Sequence, residues 1–142
     1  MAITGTDTAV GKTAIGAALA RLFRERGMRV GVLKPVETGC EGDELWPRDG
    51  LMLAEAAGLE IGTGAEAGGP GLSLADVVPW RFAAALAPEA AARAAGVEIG
   101  VDRIYQAMDR WTGRCDLILV ETAGGILVPI NRQWTFADLL LL

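Results

Sequence analysis

Gly5-Thr6-Asp7-Thr8-Ala9-Val10-Gly11-Lys12-Thr13 is the stretch on which the reading of this 142-residue chain turns. Ile3 and Thr4 lead into it as the end of a strand. Behind it, apolar residues recur at Ile15, Leu19, Leu22 and Phe23 among Arg21, Arg24, Glu25 and Arg26. That is the period of an amphipathic helix, stopped at Gly27. A glycine-bounded loop between strand and helix turns backbone N–H groups toward an anion, and the helix amino end adds its dipole. Lys12 supplies positive charge for the β- and γ-phosphates of a nucleotide, and the Thr13 hydroxyl can ligate Mg²⁺. The spacing is longer than in the common phosphate loop: Gly5 lies six residues before Gly11, with Thr6 where that motif has its first glycine.

About thirty residues after the first glycine, Arg29 to Lys34 form a short β-branched run closed by Pro35, which predicts a second strand and a βαβ unit with a right-handed crossover. Asp116-Leu117-Ile118-Leu119-Val120-Glu121 is a continuous apolar run ending in a carboxylate, as expected of a strand covered on both faces of a parallel sheet. The expected architecture is an α/β parallel sheet flanked by helices. Residues 37–48 read as a loop, Asp49 to Ala57 as a short helix ended by Gly58, and the glycine- and proline-rich stretch 59–80 as irregular connection. Pro88 opens a helix through Ala95. Asp102 is expected to cap another that runs to Gly113, with Ile104, Met108 and Trp111 on its core side. After the apolar run Ile126 to Ile130, Thr135 to Asp138 begin a last helix. No repeat or linker divides the chain, so residues 1–142 are expected to form one domain.

Composition narrows the chemistry. With 38 Leu, Ile, Val and Phe residues the chain has enough apolar surface for a core. It contains no histidine, which excludes a Ser-His-Asp triad, a histidine proton relay and any histidine-ligated metal. Two cysteines, Cys40 and Cys115, cannot make a four-thiolate zinc site, and a reducing cytoplasm is the expected compartment. A net charge of −5 without a basic run argues against nucleic acid as a partner. Neither a signal peptide nor an apolar run of membrane-spanning length is read from the sequence, so no membrane partner is expected. Of 13 basic residues, 11 are arginine; the exceptions are Lys12 and Lys34. In a chain so biased to arginine, a lysine marks a place where a compact ammonium is needed.

Lys34 ends the second strand on the edge where ligands of open α/β sheets bind, and can neutralise an anionic substrate group or a transferring phosphoryl. Glu121, at the carboxyl end of the buried strand, points into the same crevice and is the candidate acid for Mg²⁺. Asp49 is a second metal candidate, although a helix cap explains it almost as well. Cys40 reads as a turn residue, since no histidine or metal is present to activate it as a nucleophile.

Several of these segments together resemble the dethiobiotin synthetase family. Gly5-Thr6-Asp7-Thr8-x-Val10-Gly11-Lys12-Thr13 matches its phosphate signature, including the lengthened spacing, and Lys34-Pro35-Val36-x-Thr38-Gly39-Cys40 matches its second motif. Arg81-Phe82-Ala83-Ala84-x-Leu86-Ala87-Pro88, Asp116-Leu117-x-Leu119-Val120-Glu121-x-Ala123-Gly124-Gly125 and Thr135-Phe136-Ala137-Asp138 follow in the family's order. The family usually has glutamate at the position of Ala9, glycine at Thr122, proline at Ala85 and histidine at Glu89. The resemblance implies a P-loop NTPase-like fold, with further carboxyl-terminal strands that have no counterpart in this chain.

It also implies the Mg²⁺- and ATP-dependent closure of 7,8-diaminononanoate with CO₂ to the cyclic urea dethiobiotin, a ligase step of biotin biosynthesis carried out by a homodimer. Motif matching then assigns Ala9, Val10, Gly11, Lys12, Thr13, Ala14, Asp49, Glu121, Thr122, Ala123 and Gly124 to ATP. Thr13, Asp49 and Glu121 are assigned to Mg²⁺, Thr8 and Thr38 to the substrate, and Lys34 with Lys12 to catalysis. Two other readings stand beside it. A P-loop amide-forming synthetase of the cobalamin-precursor type would need a glutamine-hydrolysing domain, and a partitioning-type ATPase switch usually has a lysine early in its glycine loop, where residues 6–10 have none.

Overall fold

The computed structural model describes residues 1–62 and 71–141, so residues 63–70 of the 59–80 connection, like Leu142, lie outside the described residues. The elements run β1 (Ala2–Gly5), α1 (Lys12–Glu25), β2 (Val30–Leu33), β3 (Val36–Thr38), α2 (Arg48–Ala57), α3 (Leu74–Val77), β4 (Trp80–Phe82), α4 (Pro88–Ala94), α5 (Val101–Asp109), β5 (Leu117–Gly125) and α6 (Phe136–Leu140). The main sheet has the order β1-β5-β2 and is parallel throughout. Its central strand is the continuous apolar run, which therefore has hydrogen-bonded neighbours on both sides and cover on both faces.

Alternation along the strands divides the core in two. Val32 and Leu119 face a cluster with Ile3, Ala20, Leu53, Val77 and Trp111, whereas Leu33 and Val120 face one with Val36, Phe82, Ile99, Ile104, Ile130 and Phe136. Register at the start of the β2–β5 pair is fixed by Arg29 and Asp116. The Asp116 Oδ2 accepts from Arg29 N at 2.8 Å, the Arg29 guanidinium donates to Oδ1 at 2.6 Å, and Asp116 N donates to the Arg29 carbonyl.

Several local expectations are corrected. Residues 37–48 are not simply a loop: β3 pairs in parallel with β4, Val36 opposite Trp80 and Thr38 opposite Phe82, and Glu41 bridges Trp46. The 59–80 connection likewise contains α3, opened by a capping box between Ser73 and Asp76, and its last residue, Trp80, begins β4. Asp102 does not cap α5; Gly100 holds that position, and the helix ends at Asp109 before turns lead to Gly113. Ile104 and Met108 pack on one core cluster, but Trp111 lies beyond the helix end and packs on the other, its Nε1 donating to the Asp76 carbonyl at 3.1 Å. Pro88 opens α4 as expected, and the last helix begins where expected, as α6, with Thr135 as its cap. Among the described residues, no helix is long and apolar enough to cross a membrane.

Candidate functional site

The carboxyl ends of β1, β2 and β5, the amino ends of α1 and α2, and the segment before α4 enclose one cleft of about 920 Å³. At its floor, the glycine loop runs from β1 into α1. Gly11 takes φ +92° at the helix N-cap, a left-handed conformation that glycine adopts without strain, while Ala9 holds φ 55°. No side chain caps α1, so its first amides stay available to a ligand. The Lys12 side chain folds back over this loop and donates to the Asp7 carbonyl at 2.5 Å, and Thr8 N donates to the Asp7 carboxylate at 2.7 Å.

The second group gathers around Glu121. This carboxylate is 1 % exposed; its Oε1 accepts from the Thr13 hydroxyl at 2.8 Å and from the Lys34 ammonium at 2.8 Å. Lys34 also donates to Asp49 Oδ2. Burial pulls the Lys34 ammonium down, but Glu121 and Asp49 outweigh that and hold its pKa above the ordinary value. Glu121 Oε2 is buried and has no hydrogen-bond partner.

Asp49 reaches this group because of Glu37, which the sequence reading passed over as the variable position of its motif. Pro47 occupies the N-cap of α2 and offers no side-chain cap. Glu37, from β3, supplies it instead: Oε1 accepts from Asp49 N and Oε2 from Gly50 N, each at 2.9 Å. Burial pushes the Glu37 carboxyl up, against the two amides and Lys34, which favour its charged form. Gly50 permits the close seat of the helix, since a Cβ there would lie 2.1 Å from Val78 Cγ2.

Of the residues singled out from sequence, Thr8, Ala9, Gly11, Lys12, Thr13, Ala14, Lys34, Thr38, Asp49, Glu121, Thr122, Ala123 and Gly124 all line the cleft. Val10 does not; its side chain lies over Gly5. Asp49 is in the first turn of α2, so the helix-cap reading of this residue gives way to Glu37. The Thr122 hydroxyl is engaged by the protein itself, donating to the Gly124 carbonyl at 2.8 Å and accepting from the Thr4 hydroxyl at 3.1 Å. Both lysines are buried in the cleft, Lys12 at 9 % and Lys34 at 5 % exposure. The cleft also takes in Glu37, Leu86, Gly125 and Val128, none of which was assigned a place in it from the sequence.

Two carboxylates, a hydroxyl and two ammonium groups beside a helix amino end can hold a polyphosphate and a divalent cation together. The chain is 35% identical over 133 residues to a protein of Thermodesulfovibrio yellowstonii, 39% over 137 residues to one of Aquifex aeolicus and 41% over 137 residues to one of Anaeromyxobacter dehalogenans, all named ATP-dependent dethiobiotin synthetase BioD. These matches cover 92–96% of the chain but 51–56% of the relatives, so the chain spans about half the length of the curated relatives it matches. A family model described as an AAA domain matches residues 1–141; Glu121, expected at the end of its strand, lies at the middle of β5, which continues to Gly125, and the chain belongs to that family.

Proposed function

We propose that this chain carries the phosphate- and metal-binding part of an ATP-dependent dethiobiotin synthetase, within a single P-loop NTPase-like domain. The observation that carries the reading is the meeting of Thr13 and Lys34 on Glu121, with Asp49 joined to them through Lys34, next to the glycine loop. The substrates are 7,8-diaminononanoate, CO₂ or bicarbonate, and ATP, and the enzyme works as a cytoplasmic homodimer without nucleic-acid or membrane partners. One amine captures CO₂ as a carbamate, a carbamate oxygen takes the γ-phosphoryl of ATP, and the second amine closes the ring on the mixed anhydride and expels phosphate. Phosphoryl transfer of this kind asks mainly for positioning and charge neutralisation.

The amides of residues 9–14 face the phosphates, and Lys12 exchanges the Asp7 carbonyl for phosphate oxygens. Thr13, Asp49 and Glu121 are the residues that would hold Mg²⁺. They fit it: Glu121 keeps a buried oxygen without a donor, and among the described residues no group of three or more Asp, Glu or Cys side chains forms a self-sufficient cage. So sparse a protein ligand set suits an ion that arrives with phosphate oxygens and water. When bound, Mg²⁺ neutralises charge on the phosphates. Lys34 meets the charge that develops on the carbamate and the transferring phosphoryl, and Thr38 and Thr8 contact the diamine. Phosphate release measured with each substrate omitted in turn tests the reading. Release that needs both the diamine and bicarbonate supports it; release indifferent to the diamine, or driven by a protein or DNA surface, overturns it.

A further inference from the structure

We infer that Lys34 stands in for the metal ion in the ligand-free site, holding Thr13, Asp49 and Glu121 together as an internal cation that must leave before Mg²⁺ can enter. The inference rests on the reading that these three residues are the metal set. Its ammonium bonds one oxygen of each acid, and the Glu121 oxygen it bonds is the one that also accepts from Thr13, so Thr13 and Lys34 meet at Oε1 and Asp49 is tied to them through the ammonium. A carboxylate oxygen that accepts from both an ammonium and a hydroxyl has its lone pairs occupied.

The two donors differ in what they can do next. The Thr13 hydroxyl has lone pairs of its own and needs only to rotate to become a ligand. An ammonium has none, and cannot share a site with a second cation at contact distance against their mutual repulsion. Metal entry is therefore an exchange: Lys34 gives up Asp49 Oδ2 and Glu121 Oε1, and Glu121 Oε2 is already open to the ion.

Charge accounts for its direction. Two carboxylates against one ammonium leave the set at −1, with Glu121 Oε2 buried and without a donor. A divalent ion in place of a monovalent one neutralises it. The displaced ammonium stays in the cleft that Thr38 also lines. Lys34 thus becomes free to meet a substrate anion only once the metal is in, which couples substrate recognition to metal occupancy without any movement of the backbone.

The test is titration of the chain with Mg²⁺ alone, without nucleotide, by calorimetry and by the rise in melting temperature. The proteins are the wild type, Lys34→Met, Lys34→Gln and Asp49→Asn, with Asp49→Asn also combined with each Lys34 change. Both Lys34 variants are expected to bind Mg²⁺ roughly tenfold tighter than the wild type or better, since a competing charge in contact with the ligands is gone. Their melting temperatures should rise more steeply with Mg²⁺, and Asp49→Asn should abolish the gain. Lys34→Gln keeps a hydrogen-bonding head and serves if Lys34→Met does not fold. Equal or weaker Mg²⁺ affinity in the foldable Lys34 variants, with Asp49→Asn still impaired, overturns the exchange and leaves the metal set standing. Binding that ignores Asp49→Asn overturns the metal set and the exchange together, and no binding in any protein, the Lys34 variants included, overturns the exchange, since removal of the ammonium then opens no site.

Discussion

Replacing Glu37 with alanine removes the cap of α2 without touching the cleft's phosphate loop. Two backbone amides, Asp49 N and Gly50 N, then lose an acceptor at 2.9 Å in a buried place. Loss of a helix cap commonly costs about 0.5–2 kcal/mol, and a hydrogen bond to a charged group is worth about 1.5–3 kcal/mol. Relief from holding a desolvated carboxylate offsets part of this, so the expected net loss is about 2–4 kcal/mol. Glu37→Gln keeps one acceptor oxygen but turns an N–H₂ group toward the other amide, and should fall between wild type and alanine. Urea unfolding with a constant slope measures both. Burial raises the folded-state pKa of Glu37 above its ordinary 4.5, so its contribution is complete below that value and erodes as pH rises through the folded pKa. The stability advantage of wild type over Glu37→Gln should therefore narrow as the pH is raised across that interval. A loss under about 0.5 kcal/mol for Glu37→Ala would refute the claim that this carboxylate seats the helix.

Other changes test other parts of the molecule. Lys12→Ala should weaken ATP binding and nearly abolish turnover, whereas Lys34→Ala should lower kcat more than it weakens ATP binding, by roughly 10²–10³, with Lys34→Arg restoring only part of it; steady-state kinetics beside nucleotide titration separates the two. Arg29 holds the Asp116 carboxyl down at about 2, below its ordinary 3.8. Stability from this contact is present above 3.8 and is lost as pH falls toward 2, so Asp116→Asn should flatten the acid limb of the unfolding profile there. Ala9 holds φ 55°, and Ala9→Gly should leave stability unchanged or raise it by up to about 1 kcal/mol in thermal melts, a larger chain entropy offsetting part of the relieved strain.

The parts of the fold legible in the sequence are those whose signal is local. A strand buried on both faces must be apolar at every position, so β5 shows itself as Leu117 to Val120, and the glycine loop shows itself because amide donors need that backbone. Glu121 follows from the same logic: an acid closing an apolar run marks the crevice, although β5 itself continues past it to Gly125. β3 and β4 give no such signal. Each is three residues long, and they find one another across more than forty residues of chain, by tertiary packing of Val36 and Phe82 in a core that neither residue announces alone.

Glu37 was illegible for a related reason. A cap is recognised in sequence when Ser, Thr, Asp or Asn stands immediately before the helix it serves. Before α2 that place belongs to Pro47, and the acceptor comes from a neighbouring strand eleven residues before the helix begins. Lys34 and Glu37 have opposite offices although they lie within four residues of chain, one just after β2 and the other in β3. Lys34 draws the Asp49 side chain in, and Glu37 fixes the backbone that carries it. The acid on α2 is thereby held at both its main chain and its side chain. Lys34 can then be exchanged for another cation without loss of the ligand's position, because Glu37 keeps the helix end in place when the ammonium goes.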